Sequence, residues 1–195
     1  GRRRFNFVWY RPLDEVQLRR AMTDPGGRYY PDGIPPALVD PRVVTAVRGA
    51  AEELLSPQFA EIVRATRQLF FQPIYDLASP RLTFGRVVLL GDAAFVARPH
   101  CGMGVTKAAG DAAALGQALD DQPTLPSALE TYDHRRRAFG DRVIEQARHL
   151  GAYMQAQIRT DEERLMAESH RSTEAVLRET AVATDVLFAT AGKNA

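Results

Sequence analysis

An α/β fold is what this 195-residue sequence predicts, and it becomes α+β if the chain is taken as a fragment. Three observations carry that prediction. Val87 to Leu90 is a short apolar run that reads as a fully buried parallel strand, ended by Gly91-Asp92. Gly102 and Gly104 form a glycine loop before Val105 to Leu119, whose Ala, Leu and Gln content reads as a helix. The carboxyl-terminal third has helical spacing, with Leu129, Tyr132, Phe139, Val143, Ala147, Leu150 and Met154 on one face.

Taken in chain order, Phe5 to Arg11 is aromatic and β-branched and predicts a strand, followed by a short helix from Asp14 to Met22. Proline and glycine then punctuate a loop through Pro36, in which Asp32-Gly33 reads as a plain turn. Asp40-Pro41 is an N-cap followed by proline at the first helical position, opening a helix to Leu55, and Ser56-Pro57 repeats the device. Leu69 to Asp76 is a second strand-like run in which Gln72 and Tyr75 are the polar members. Leu82 to Phe84 leads through Gly85 into the Asp92 strand. Ser127 to Glu130 has the pattern of a capping box after Pro126, and Thr160 to Glu163 that of a second box opening a last helix.

Composition excludes several function classes. With 25 Lys and Arg against 24 Asp and Glu, the formal charge of +1 gives no field to attract nucleic acid or an anionic membrane. A single cysteine, Cys101, excludes an internal disulfide and fits a reducing compartment, so the expected location is cytoplasmic. His100, His134, His149 and His170 are scattered and read as lacking partners at metal-ligand spacing, so no metal site is expected. There is no Gly-x-Ser-x-Gly elbow of a hydrolase. The run His134 to Arg137 reads as a solvated helix face, Cys101 as a packed small residue, and Lys107 as solvated or paired. Asp111 reads as a local anchor between loop and helix.

The remaining residues sketch a ligand site. Asp92 stands at the carboxyl end of the expected strand, where an ionised carboxylate accepts hydrogen bonds from a sugar or polyol chain. Gly102 and Gly104 let the backbone approach a ligand, and the following helix start offers unpaired amides to an anion or a polarised carbonyl. Pro99 stiffens the loop.

Gly91, Asp92, Ala93, Ala94, Pro99, Gly102, Gly104, Asp111 and Ala112 fall in register with the second flavin-binding motif of the single-component FAD-dependent aromatic monooxygenases. The chain resembles the carboxyl-terminal half of a member of this p-hydroxybenzoate hydroxylase-like family. Phe95 departs from the family's histidine and Thr106 from its asparagine. Arg98-Pro99-His100, Thr106-Lys107-Ala108 and the Phe5 to Arg11 segment are most similar to the 2,6-dihydroxypyridine 3-hydroxylase branch.

The resemblance implies part of a Rossmann-like FAD-binding domain, strands of a substrate-domain sheet and a helical carboxyl-terminal region. Residues 1–80 would belong to the substrate domain, 81–125 to the second half of the FAD-binding domain and 126–195 to the terminal helices. It implies FAD as cofactor, NADH or NADPH as co-substrate, and hydroxylation of a small aromatic or hydroxypyridine-type substrate by O2. Asp92, after Gly91, would bind the ribityl hydroxyls, and Pro99 would pack beside the ring. Gly102, Gly104, Val105 and Thr106 would present amides to the pyrimidine edge. Phe71, Gln72 and Tyr75 are candidates to line the substrate pocket, against a role in the core or at a sheet edge. His100 would either hydrogen-bond the substrate or serve as an ordinary loop residue. The family's ADP-binding Gly-x-Gly-x-x-Gly turn does not occur in this sequence. The expectation is a truncated, nicked or separate chain, inactive alone, whose amino-terminal half is supplied in the same or another chain. A homodimer is compatible with it. A halogenase or reductase flavoenzyme, or a non-catalytic fragment acting in dimerisation, stays open.

Overall fold

The structure is a computed structural model that describes residues 6–155, 160–169, 172 and 174; Phe5 and His170 lie outside the described residues. The chain forms two compact units, 1–73 and 74–195.

In the first unit, helix α1 (Glu15–Ala21) starts where the sequence places it. Asp14 accepts the Gln17 amide at 2.7 Å and Gln17 reaches back to the Asp14 amide at 3.2 Å, so two orphan donors are satisfied reciprocally. A tight turn follows, with Gly27 at φ 87° and Asp24 accepting both the Arg28 amide and the Tyr30 hydroxyl. Asp40 caps helix α2 (Pro41–Leu54), accepting the Arg42 amide at 2.8 Å. Helix α3 (Pro57–Ala65) begins at proline as expected, although the Ser56 side chain does not cap it. Met22, Ile34 and Val39 form the core, with Leu18, Tyr30, Val43, Val44 and Phe71 packed around them.

Neither strand expected around this unit forms. Residues 6–11 and 69–76 belong to no ladder. A β-branched and aromatic composition supplies propensity only, and a strand exists through its partner.

The second unit is mostly helical. Strand β1 (Leu77–Ala78) pairs antiparallel with β4 (Phe95–Val96), and β2 (Thr83–Phe84) pairs antiparallel with β3 (Val87–Val88). Gly85, at φ 64°, makes the turn between β2 and β3. The buried parallel strand expected at Val87 to Leu90 is thus a correction: it is the return arm of a two-residue hairpin, with Val87 61% exposed.

Helix α4 (Gly104–Asp121) packs on helix α5 (Leu125–Gln155), and α6 (Asp161–Ser169) follows. The box at the start of α5 lies three residues before the expected one, where Thr124 and Ser127 exchange amide-to-hydroxyl bonds at 3.3 Å. The core joins Leu82, Phe95, Met103, Ala118, Tyr132, Phe139, Val143 and Ile144. Met154, placed on that face by periodicity, is exposed. Among the described residues no helix is long and apolar enough to cross a membrane.

Candidate functional site

A set of buried polar contacts fixes the hairpin that leads to Asp92. The Leu82 amide donates to Asp133 Oδ1 at 2.5 Å, and the Tyr132 hydroxyl donates to the Leu89 carbonyl at 2.8 Å. Burial pushes the Tyr132 phenol well above its ordinary range, Asp111 adds to the rise, and Arg136 opposes it. Tyr132 is therefore a permanent donor. Gly91, with φ 61°, donates its amide to Asp111 Oδ2 at 2.8 Å, and a Cβ at this glycine would lie 3.3 Å from Ala108. The glycine permits both the left-handed turn and the close approach to α4.

Asp111 is the anchor that the sequence predicts, and it is fully buried. Its other oxygen accepts Arg136 Nε at 2.6 Å. The solvated face expected at 134–137 holds for His134, Arg135 and Arg137, which are exposed, and fails at Arg136, which is 7% exposed with its guanidinium 4.0 Å from the Phe139 ring centroid. The signal was present in the sequence. Tyr132, Arg136, Phe139 and Val143 are spaced by four, three and four, so Arg136 falls on the apolar stripe.

The turn Gly91–Ala93 brings Asp92 to the surface, its side chain 79% exposed. Its Oδ1 accepts Lys107 Nζ at 2.6 Å, and the same ammonium donates to the Phe95 carbonyl at 2.8 Å. Lys107 is paired, as one of its expected alternatives has it, and is 2% exposed.

The glycine loop leads into α4. Pro99–Cys101 is a single helical turn closed by the Gly102 amide on the Pro99 carbonyl at 2.9 Å, with Gly102 at φ 64°. A Cβ at Gly102 or Gly104 would meet nothing within 4 Å. Met103, at the N-cap of α4, offers no side-chain cap, and the first amide to bond back is Lys107, to the Met103 carbonyl at 2.8 Å. The amides of Gly104, Val105 and Thr106 precede it and have no intrahelical acceptor. Val105 is 86% exposed.

His100 lies against α5, where a Cβ at Gly151 would be 3.1 Å from its Nδ1. Burial lowers the imidazole pKa, Arg98 lowers it further, and Asp76 opposes them. Asp76 carries no local sequence signal. Its Oδ2 accepts Arg98 Nε at 3.1 Å and Arg148 Nε at 2.9 Å, tying the loop to α5. Of the expected substrate residues, Phe71 packs in the first unit's core and Gln72 is exposed there, while Tyr75 is half-exposed in the second unit.

One histidine does have carboxylate partners, contrary to the scattered pattern expected. Glu145 and His149 are one helical turn apart on α5, and with Glu162 of α6 they bring ligand atoms within 4.8 Å of one another. Both glutamates are exposed.

Comparison with known proteins places these features. A family described as FAD binding domain-like matches residues 1–76, and one described as FAD binding domain matches residues 70–147. The chain is 28% identical over 153 residues to 2,6-dihydroxypyridine 3-monooxygenase of Paenarthrobacter nicotinovorans, covering 78% of this chain and 38% of that protein. The chain is thus similar to part of an FAD-dependent monooxygenase. The solved 2,6-dihydroxypyridine-3-hydroxylase from Arthrobacter nicotinovorans superposes with a TM-score of 0.66 at 25% identity, over 73% of this chain and 36% of that one. Klebsiella pneumoniae HpxO, solved with FAD and uric acid, shares the fold at a TM-score of 0.57 and 22% identity, over 74% of this chain and 38% of that one. The chain therefore spans well under half the length of these monooxygenases.

Proposed function

We propose that this chain is the carboxyl-terminal portion of an FAD-dependent monooxygenase that hydroxylates an aromatic or hydroxypyridine-type substrate with O2 and NADH or NADPH. The observation that carries the reading is the pairing of complementary groups on one scaffold. Asp92 is an exposed acceptor for hydroxyls, and Lys107 ties it to the helix whose uncapped first turn offers the amides of Gly104, Val105 and Thr106. That donor set fits FAD, whose ribityl chain needs acceptors and whose pyrimidine edge needs donors. The open space at Gly102 and Gly104 leaves the backbone approachable.

Asp92 and the Gly91 turn would hold the ribityl hydroxyls, and Pro99 would pack beside the ring. When bound, FAD supplies the electron transfer and oxygen activation, and the protein supplies orientation and electrostatics. The first turn of α4, Gly104 to Thr106, would turn the positive end of the helix dipole toward the pyrimidine edge and favour negative charge there. His100, its pKa lowered by burial, is neutral near pH 7 and can accept the proton that a phenolic substrate loses on activation. Phe71, Gln72 and Tyr75 remain candidates to line the substrate pocket, and residues 81–125 to form the second half of a Rossmann-like domain. A cytoplasmic location and a homodimer complete the reading.

The relatives' greater length sets a condition on activity. The isolated chain is expected to be inactive until the rest of that length is supplied. The test is NAD(P)H oxidation and product analysis with a panel of phenols and hydroxypyridines, using this chain joined to the remainder of its reading frame. Substrate-dependent oxidation with a hydroxylated product supports the reading; flavin binding without any hydroxylation across the panel would contradict it.

A further inference from the structure

We propose that Lys107 is a positioning residue, set in the first turn of α4 to aim the Asp92 carboxylate at the ribityl chain of a flavin; this rests on the function proposed above. Lys107 is unfavourably placed. It is 2% exposed and lies near the positive end of an 18-residue helix, where both desolvation and the helix dipole oppose a cation. Three contacts compensate: Asp92 Oδ1 at 2.6 Å, the Phe95 carbonyl at 2.8 Å and the Phe95 ring centroid at 4.8 Å.

Stability alone does not call for this arrangement, because an apolar side chain of similar volume fills such a space without desolvating a charge. The ammonium instead fixes an otherwise mobile surface group. Asp92 is 79% exposed, and a carboxylate so exposed samples several rotamers unless one oxygen is held. With Oδ1 bound to Lys107, the remaining edge of the carboxylate is presented to solvent in a fixed relation to the amides of Gly104 to Thr106. Phe95 contributes through its carbonyl and ring, and α5 supports Phe95 in turn. A Cβ at Gly140 would come within 3.0 Å of that ring.

The experiment is a double-mutant cycle on the 195-residue chain with Asp92→Ala, Lys107→Met and both together. It is read by quenching of riboflavin and FAD fluorescence and, separately, by urea denaturation without flavin. Riboflavin carries the ring and ribityl chain but no ADP portion, so it probes this half directly. Each single variant should weaken riboflavin binding about tenfold or more, the fold-change expected for a lost charge-assisted hydrogen bond, and the double variant should be no weaker than Asp92→Ala. Lys107→Met relieves the buried charge but removes the donor to the Phe95 carbonyl, so the denaturation midpoint should fall by no more than one lost hydrogen bond accounts for. Wild-type affinity in Lys107→Met, additive losses, or a loss that merely follows a fallen midpoint would each overturn the role of Lys107 while leaving the flavin site standing. A wild-type chain that binds neither riboflavin nor FAD would overturn the site and the inference together.

Discussion

Asp111 and Arg136 form a buried pair between two helices, carboxylate Oδ1 to guanidinium Nε at 2.6 Å, and the second carboxylate oxygen accepts the Gly91 amide at 2.8 Å. One side chain thus sets the distance between α4, α5 and the turn that presents Asp92. Removing it should be costly. Asp111→Ala leaves a buried guanidinium and a buried amide without their acceptor, a loss of about 3–5 kcal/mol. Urea denaturation of the isolated chain measures it. A loss near that of an exposed ion pair, below about 1 kcal/mol, would contradict the anchoring role.

Two helical glycines should respond in opposite ways to alanine. Gly116 on α4 has no neighbour within 4 Å of an added Cβ, so Gly116→Ala should gain about 0.5–1 kcal/mol from helix propensity. At Gly140 the added Cβ would meet three ring atoms of Phe95 at 3.0–3.2 Å, and Phe95 is 2% exposed and packed edge-on to Phe139. Overpacking should outweigh propensity and Gly140→Ala should lose about 1–3 kcal/mol. Thermal melts of the two variants decide it, and a stabilised Gly140→Ala would show that the ring has room to move.

His100 gives the fold a pH dependence of defined sign. Its folded pKa is below the ordinary 6.5, so between the folded and unfolded values the unfolded chain binds more protons. Stability therefore falls as pH drops through 6.5 and levels off below the folded pKa. Denaturation midpoints from pH 8 to pH 5 should show this loss, and His100→Asn should flatten it. An unchanged slope in the variant would assign the effect elsewhere.

Asp76 should matter to the loop more than to the fold. Asp76→Asn keeps the side chain's shape but removes the charge that holds Arg98 and Arg148 from one oxygen. Hydrogen exchange of residues 98–102 should quicken, while the α4 and α5 amides keep their protection. Uniform change across the second unit would contradict a local role.

The helices were legible in the sequence because their signals are local. Asp40 caps α2 as the following Pro41 announces, and α1 and α4 each begin within one residue of the expected start. Two of the expected strands do not form. Residues 6–11 and 69–76 have β composition, but pairing depends on residues far away in the chain, which composition does not encode. The burial of Arg136 is hidden for a different reason: residue type alone suggests a solvated arginine, whereas helical phase puts it on the apolar stripe. Lys107, Asp111 and Ala118 are all buried on the same side of α4, spaced by four and seven, and that phase was available from the sequence. Asp76 had no such signal, since both its arginines lie more than twenty residues away.

The most direct test is a visible titration of the chain with FAD and with riboflavin, repeated with Asp92→Ala. The wild-type chain should give a shifted, structured flavin band, weakened in Asp92→Ala. Free-flavin spectra for both ligands at saturating protein would contradict it.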